Sequence, residues 1–170
     1  MTGGGRHPAH AILIIALATD ASLMILTRQF APTDIPSVIK IVEESLGENY
    51  PPSLYLTVHS LWSDGFLVLL NDGRLIGFVA AVPSGSKVAR VLMLAVDPRF
   101  RNKSYGKILM EGLYANSIAK GMDTVVLEAR KSNRSAVTFY EKQGFSIFGE
   151  IKRFYSNGED AFKMMKVLRS

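Results

Sequence analysis

The sequence predicts an α/β domain, with a mixed central sheet of about seven strands flanked by about four helices, in the order β-α-α-β-β-β-α-β-α-β-β. Three observations support this. Short apolar runs alternate with segments whose apolar residues recur at helical spacing. Asn71-Asp72-Gly73-Arg74 and Asn157-Gly158 have hairpin-turn chemistry and lie between such runs. The 170 residues, 48% of them apolar, suit one domain with a sizeable core. That domain reads from Leu23 onward, as residues 23–170, behind an extension of unknown role at 1–22.

Leu23 to Gln29 reads as a strand. Thr33 or Asp34 can cap the helix that follows, because their side-chain oxygens accept from free first-turn amides. Ile35, Val38, Ile39, Val42 and Leu46 give that helix one apolar face, and Gly47 stops it. Pro51-Pro52 starts a second helix running to Trp62. Phe66–Leu70 and Leu75–Val82 are strands joined by the Asp72-Gly73 turn, and Lys87–Val96 is the next strand. Asp97 to Ser104 is polar and basic. A helix then begins at Tyr105, with Ile108, Leu109, Gly112 and Leu113 inward and Lys120-Gly121 closing it. Thr124–Ala129 is a strand, Ser132 or Asn133 caps the last helix, and Gly144 ends it. Phe145–Phe154 and Asp160–Leu168 form the closing hairpin.

Composition narrows the function. The absence of cysteine excludes disulfides, thiolate metal sites and a cysteine nucleophile, and fits a reducing, cytoplasmic setting. The three histidines, His7, His10 and His59, form no metal-ligand pattern, so no metal site is expected. Lys and Arg total 20 against 15 Asp and Glu; the net +5 suits an anionic ligand or nucleic acid without choosing between them. The longest apolar run, Ala11 to Ala18, is far short of the about 20 residues a spanning helix needs. It reads as a packed extension, as the core of a signal peptide, or as sequence upstream of a natural start at Met24.

The segment richest in chemistry runs from Val96 to Lys107. A buried strand enters a cationic loop, and the loop enters a helix whose first amides lack internal partners and carry partial positive charge. Such a terminus accepts phosphate. Gly106, without a Cβ, would let an anion approach the backbone, and Arg101, Lys103 and Lys107 add charge. The spacing is neither that of a Walker loop nor that of a dinucleotide-binding Rossmann turn. An ordinary solvated loop would read the same way until a second segment is considered.

That second segment is Leu127 to Phe145. Together the two resemble the acetyl-CoA-binding motifs of the GNAT acetyltransferase superfamily. Arg101–Gly106 follows the pattern Q/R-x-x-G-x-G/A with Ser104 in place of the first glycine, and Asn133, Ala136, Phe139-Tyr140 and Gly144-Phe145 follow the second motif. Leu46-Gly47-Glu48-Asn49-Tyr50-Pro51 and Arg153 to Ala161 are similar to two loops of the RimI- and Ard1-like branch, the N-terminal protein acetyltransferases.

The resemblance implies a GNAT fold and acetyl-CoA as donor. It implies cofactor contacts from Leu94, Ala95 and Val96, from Arg101, Asn102, Lys103, Ser104, Tyr105, Gly106 and Lys107, and from Asn133 and Tyr140. It implies Glu128 as base and Tyr140 as acid, and Glu48, Tyr50 and Tyr155 along the acceptor's entry. Read from the residues alone, Glu128 is better taken as a solvated strand-end carboxylate or an ion-pair partner, and Tyr140 as a packing residue whose hydroxyl could still face the thiol. Arg90 stands where several Ard1-like proteins have histidine. Arginine keeps its proton, so Glu128 would act alone, or Arg90 would pair with Glu128 or with an acidic substrate side chain.

Acetyl transfer needs a neutral amine and a proton for the departing thiolate. At pH 7, neutralising an α-amine costs roughly 1–1.4 kcal/mol, against about 4.6 for lysine. A modest base therefore suffices for protein or peptide N-termini. The competing readings are a GNAT enzyme acting on lysine or a small amine, and a non-catalytic acyl-CoA sensor. Specific nucleic-acid and membrane partners are not expected, and the basic charge leaves ribosome association open.

Overall fold

Strands buried on both faces need cover on both sides, and the central strands of this protein are of that kind. The structure, a computed structural model, describes residues 13–16 and 24–169. Its elements are β1 (Leu13–Ala16), β2 (Met24–Gln29), α1 (Ile35–Leu46), α2 (Pro52–Leu61), β3 (Phe66–Asn71), β4 (Arg74–Pro83), β5 (Val88–Val96), α3 (Tyr105–Ala119), β6 (Thr124–Arg130), α4 (Arg134–Lys142), β7 (Ser146–Ile151) and β8 (Ala161–Val167). The order expected from residue 23 onward is the order observed, with seven strands and four helices.

Strand β1 adds an eighth strand that no sequence pattern announced. It pairs antiparallel with β2, from Leu13 opposite Thr27 to Ala16 opposite Met24. The rest of the extension, including the remainder of the Ala11–Ala18 run, lies outside the described residues.

The sheet order is β1-β2-β3-β4-β5-β6-β8-β7. Among the described residues only β5 and β6 run parallel, and α3 supplies the long crossover such a pair requires. The pleat sends alternate residues of β3 to opposite sides. Leu67 and Leu69 meet Leu109, Met110 and Leu113 of α3 on one side. Phe66, Val68 and Leu70 meet Val38, Ile41 and Val42 of α1 and Tyr55 and Val58 of α2 on the other. Asp72 and Gly73, both at positive φ, make the β3–β4 turn.

One expected cap is corrected. Asp34 precedes α1 but makes no hydrogen bond to its first turn. Its carboxylate accepts from the Ala31 amide at 2.8 Å and from two nitrogens of Arg28 at 2.7 and 2.9 Å. The physical reason is burial. A carboxylate only 8% exposed needs a charged partner, and Pro36 at the second helical position offers no N–H. Burial alone would push Asp34 up, but Arg28 and the Ala31 amide outweigh it and hold the carboxyl below its ordinary value. Asp34→Ala should lower the unfolding free energy by about 2 kcal/mol, since Arg28 and the Ala31 amide both lose their acceptor. Urea denaturation checks this; an unchanged midpoint would make the pair ornamental.

Candidate active site

The site begins where two parallel strands part. β5 and β6 are paired only from Val88 opposite Thr124 to Arg90 opposite Val126. Just beyond, Leu92 is an extra residue against β4, because Ala80 pairs with Met93 but Ala81 with Val91. A bulge bends and twists its strand, and this one lies where β5 leaves β6. The outer half of β5 therefore has an unpaired edge facing a gap.

The hydrogen-bond alternation of an antiparallel pair says which groups use that edge. The Asp97 amide donates to the Ile76 carbonyl at 2.7 Å, so that pair is bonded, as is Ala95 with Phe78 two residues in. Leu94 and Val96 lie in the intervening positions and turn their N–H and C=O groups to the gap. Ala95 turns its main-chain groups to β4, and Leu94, Ala95 and Val96, all expected among the cofactor contacts, line the cavity in the gap. The Val96 carbonyl already accepts from Ser45 Oγ at 3.2 Å and from Arg101 Nε at 3.4 Å.

A cavity of about 820 Å³ fills the gap. Its walls are the outer half of β5, the loop and first turn of α3, and α4. Arg101, Asn102, Ser104, Tyr105, Gly106, Lys107, Asn133 and Tyr140 all line it, as expected, whereas Lys103 is not on its wall. Lys142, at the end of α4, brings a cation that the motif did not assign.

Three local features shape this loop. Ser104 sits in the left-handed region at φ 62°, where the family pattern has glycine, and leaves the α3 amides uncapped by its side chain. Asn133 caps α4 by accepting from the Ala136 amide at 3.1 Å, so its carbonyl oxygen is committed and only its amide nitrogen remains for a ligand. Gly106 lines the cavity, and its missing side chain also makes room for a neighbouring ring. A Cβ there would point at the Phe139 ring, 3.3 Å from Cζ, so the missing side chain lets α3 and α4 approach each other.

Asp97 fastens the loop to the sheet. Its side chain is 3% exposed and accepts from the Arg99 amide at 3.0 Å and from the Arg99 guanidinium at 3.0 and 2.7 Å. Arg74 lies 3.6 Å from the same carboxylate and 5.6 Å over the Phe100 ring. The Arg99 hydrogen bonds outweigh burial and hold the Asp97 carboxyl below its usual range.

Glu128 stands on β6 beyond the point of separation, with its side chain 16% exposed. Arg90 grips it through Nε at 3.2 Å and a terminal nitrogen at 2.9 Å. Two of the four lone-pair positions of the carboxylate are so occupied, and two remain for an amine or a water. Tyr140 packs edge-on against Phe139 and Phe145, with ring centroids at 5.2 and 5.5 Å. Burial pushes its phenol well above the ordinary value, and proximity to Tyr155 adds to this.

Glu48, Tyr50 and Tyr155, from two loops far apart in sequence, gather around Arg130, and Tyr155 lies nearest Glu128 in electrostatic terms. Burial raises the Tyr155 phenol, Arg130 opposes this, and Glu128, Glu159 and Tyr50 reinforce it. Tyr155 thus lies within electrostatic reach of both Glu128 and Tyr140. Arg130 is the residue that sequence reasoning missed. Its guanidinium is 3.4 Å from Glu48, bonded to Glu159, and 3.9 Å over the Tyr155 ring. The one signal for it was strand alternation, which puts Arg130 on the same face as Glu128.

Comparison with known proteins agrees with this geometry. The model of the acetyltransferase (GNAT) family matches residues 35–145. An uncharacterized N-acetyltransferase of Methanocaldococcus jannaschii is 32% identical over 141 residues, covering 82% of this chain and 89% of its own length. The catalytic subunit of the N-terminal acetyltransferase B complex of Arabidopsis thaliana is 31% identical over 148 residues, covering 83% and 84%. The crystal structure of Ard1 from Thermoplasma volcanium superposes with a TM-score of 0.83 at 34% identity, covering 86% of this chain and 99% of that one.

Asp97→Asn should loosen the loop and weaken CoA binding by about tenfold, read by calorimetric titration. The pH dependence has a definite sign. A carboxyl whose folded pKa lies below its unfolded value stabilises fully above the unfolded value, about 3.9, and less as pH falls through the folded one. The melting-temperature gap between wild type and Asp97→Asn should thus be constant near neutrality and narrow only below about pH 4.

Proposed function

The chain belongs to the GNAT family and is an acetyltransferase, and on that premise we propose that it transfers the acetyl group of acetyl-CoA to the free α-amine of proteins and peptides, by direct attack within one ternary complex. The residues fit the donor. The open main-chain groups of Leu94 and Val96 suit an amide-bearing arm, and the cationic loop and α3 amides suit its phosphates. Acetyl-CoA supplies a thioester whose carbonyl an amine can attack. Glu128 takes the proton of the attacking amine, directly or through a water, at the lone pairs Arg90 leaves free. The Tyr140 phenol, kept protonated by burial, gives its proton to the departing sulfur.

The observation that carries the acceptor class is the meeting of two loops beside Glu128. Glu48 and Tyr50 come from one and Tyr155 from the other, and on this reading the place where they meet is the entry for a chain end. The N-terminal acetyltransferase names of the relatives support the same reading. A lysine or small-amine acceptor is the second reading. It asks Glu128 to neutralise an amine of pKa about 10.4, against about 7.7–8.0 for an α-amine.

The experiment is acetyl transfer from labelled acetyl-CoA to peptides with free Ser-, Ala- or Met- N-termini, to N-blocked peptides with one lysine, and to polyamines. Label on free N-termini alone is expected; label on lysine or polyamines would overturn the acceptor class. Tyr140→Phe should lower kcat by about 10²-fold with the KM for acetyl-CoA unchanged. A collapse of acetyl-CoA binding would instead make Tyr140 a packing residue. Because the phenol titrates above its ordinary value of about 10, kcat/KM should rise with the acceptor amine to about pH 8 and show no descending limb below about pH 10.

A further inference from the structure

Arg130 joins three groups that the chain brings from separate places. Glu48 lies between α1 and α2, while Tyr155 and Glu159 lie in the β7–β8 connection. Without the guanidinium, Glu48 and Glu159 would place two like charges on loops that must approach each other, and the loops would separate. With it, the repulsion becomes two attractions, and the flat face of the guanidinium also stacks on Tyr155. Its side chain is 29% exposed, so it does not fill the core.

The hairpin side of this junction is built to receive it. Glu159 also accepts from Ser132 Oγ at 2.7 Å and Asn157 Nδ2 at 2.8 Å. Those two bonds, with Arg130, hold its carboxyl down to about 2. Asn157 Oδ1 accepts from Arg130 at 3.4 Å and from the Glu159 amide at 3.1 Å. The loop side has one longer contact, from Glu48 at 3.4 Å. The junction is thus firm towards the hairpin and weak towards the α1–α2 loop.

We propose that Arg130 is the positioning residue of the acceptor entrance: it latches the α1–α2 loop to the β7–β8 hairpin, so that Tyr50 and Tyr155 are held together beside Glu128. It touches neither reacting atom. Its position two residues after Glu128 on one strand face means that base and latch are carried by the same rigid segment. Lysine cannot replace it fully, having neither the fork that reaches two carboxylates nor the plane that stacks on a ring. The proposal rests on reading this slot as the acceptor's entry.

The test compares Arg130→Gln, Arg130→Lys and Glu48→Gln with wild type. In amide hydrogen exchange without any substrate, Arg130→Gln should speed exchange in residues 47–51 and 153–160 together, with the melting temperature lowered by only a few degrees. Glu48→Gln, at a half-buried position, should speed exchange in residues 47–51 with less effect on the hairpin. In steady-state kinetics, Arg130→Gln should raise the acceptor KM by about tenfold, leave the KM for acetyl-CoA within about twofold, and leave the pH profile of kcat unchanged. Arg130→Lys should fall between. Unaltered exchange in both segments, or a loss confined to kcat, would overturn the latch. The exchange arm needs no acceptor, so a wild-type protein that failed to acetylate peptides would overturn the acceptor class while the latch stood or fell on exchange.

Discussion

Three residue pairs hold β5 to β6, and everything the site does depends on there being no more. A parallel pair normally continues to the strand ends. Here the Leu92 bulge turns β5 away, and the sheet opens in its middle rather than at its margin. An unpaired strand edge is usually a hazard. Inside this cleft it presents the main-chain groups of Leu94 and Val96 to the cavity, while Glu128 stands on the outer half of β6, held by Arg90. The opening also leaves room for the start of α3, whose uncapped amides and neighbouring cations look into the same cavity.

The charges around the gap are kept apart by function. Beside the loop into α3, Arg101, Lys107 and Lys142 line the cavity, while Asp97 binds Arg99 and Arg74 into the fold and so fixes the loop without cancelling the cations that face inward. Around Glu128 and the two loops that meet near it, two arginines divide the work. Arg90 holds Glu128, and Arg130 holds Glu48 and Glu159. Each carboxylate has a partner, as partly buried anions require. The aromatic residues mark the boundary between the two sides, with Tyr140 packed towards the cofactor wall and Tyr155 stacked on Arg130.

Much of the fold was legible because its signals act within a few residues. The helical spacing of Ile35, Val38, Ile39 and Val42, the Asp72-Gly73 turn, the Asn133 cap and the closing Gly121 are each local agreements of side chain and backbone. Strand β1 was illegible because a short apolar run carries no mark of whether, or with what, it pairs. The Asp34 cap was misread because the choice between its own helix and Arg28 turns on burial, which local sequence does not display.

The sequence by itself determined the kinds and order of the elements, the cationic turn into α3, and the motifs through which the chain resembles its family. Tertiary structure alone decided how these meet. It left the main-chain groups of Leu94 and Val96, rather than those of Ala95, without a partner on β4, because bonding alternation depends on register. It set the Phe139 ring 3.3 Å from where a Cβ on Gly106 would stand. It answered what Arg90 does by placing it against Glu128, 38 residues on. It brought Arg130 to Glu48 across 82 residues and to Glu159 across 29. Spacing and turn chemistry are properties of neighbouring residues, whereas register, bulge and twist are properties of the whole sheet, and it is the sheet that sets the distances on which this chemistry runs.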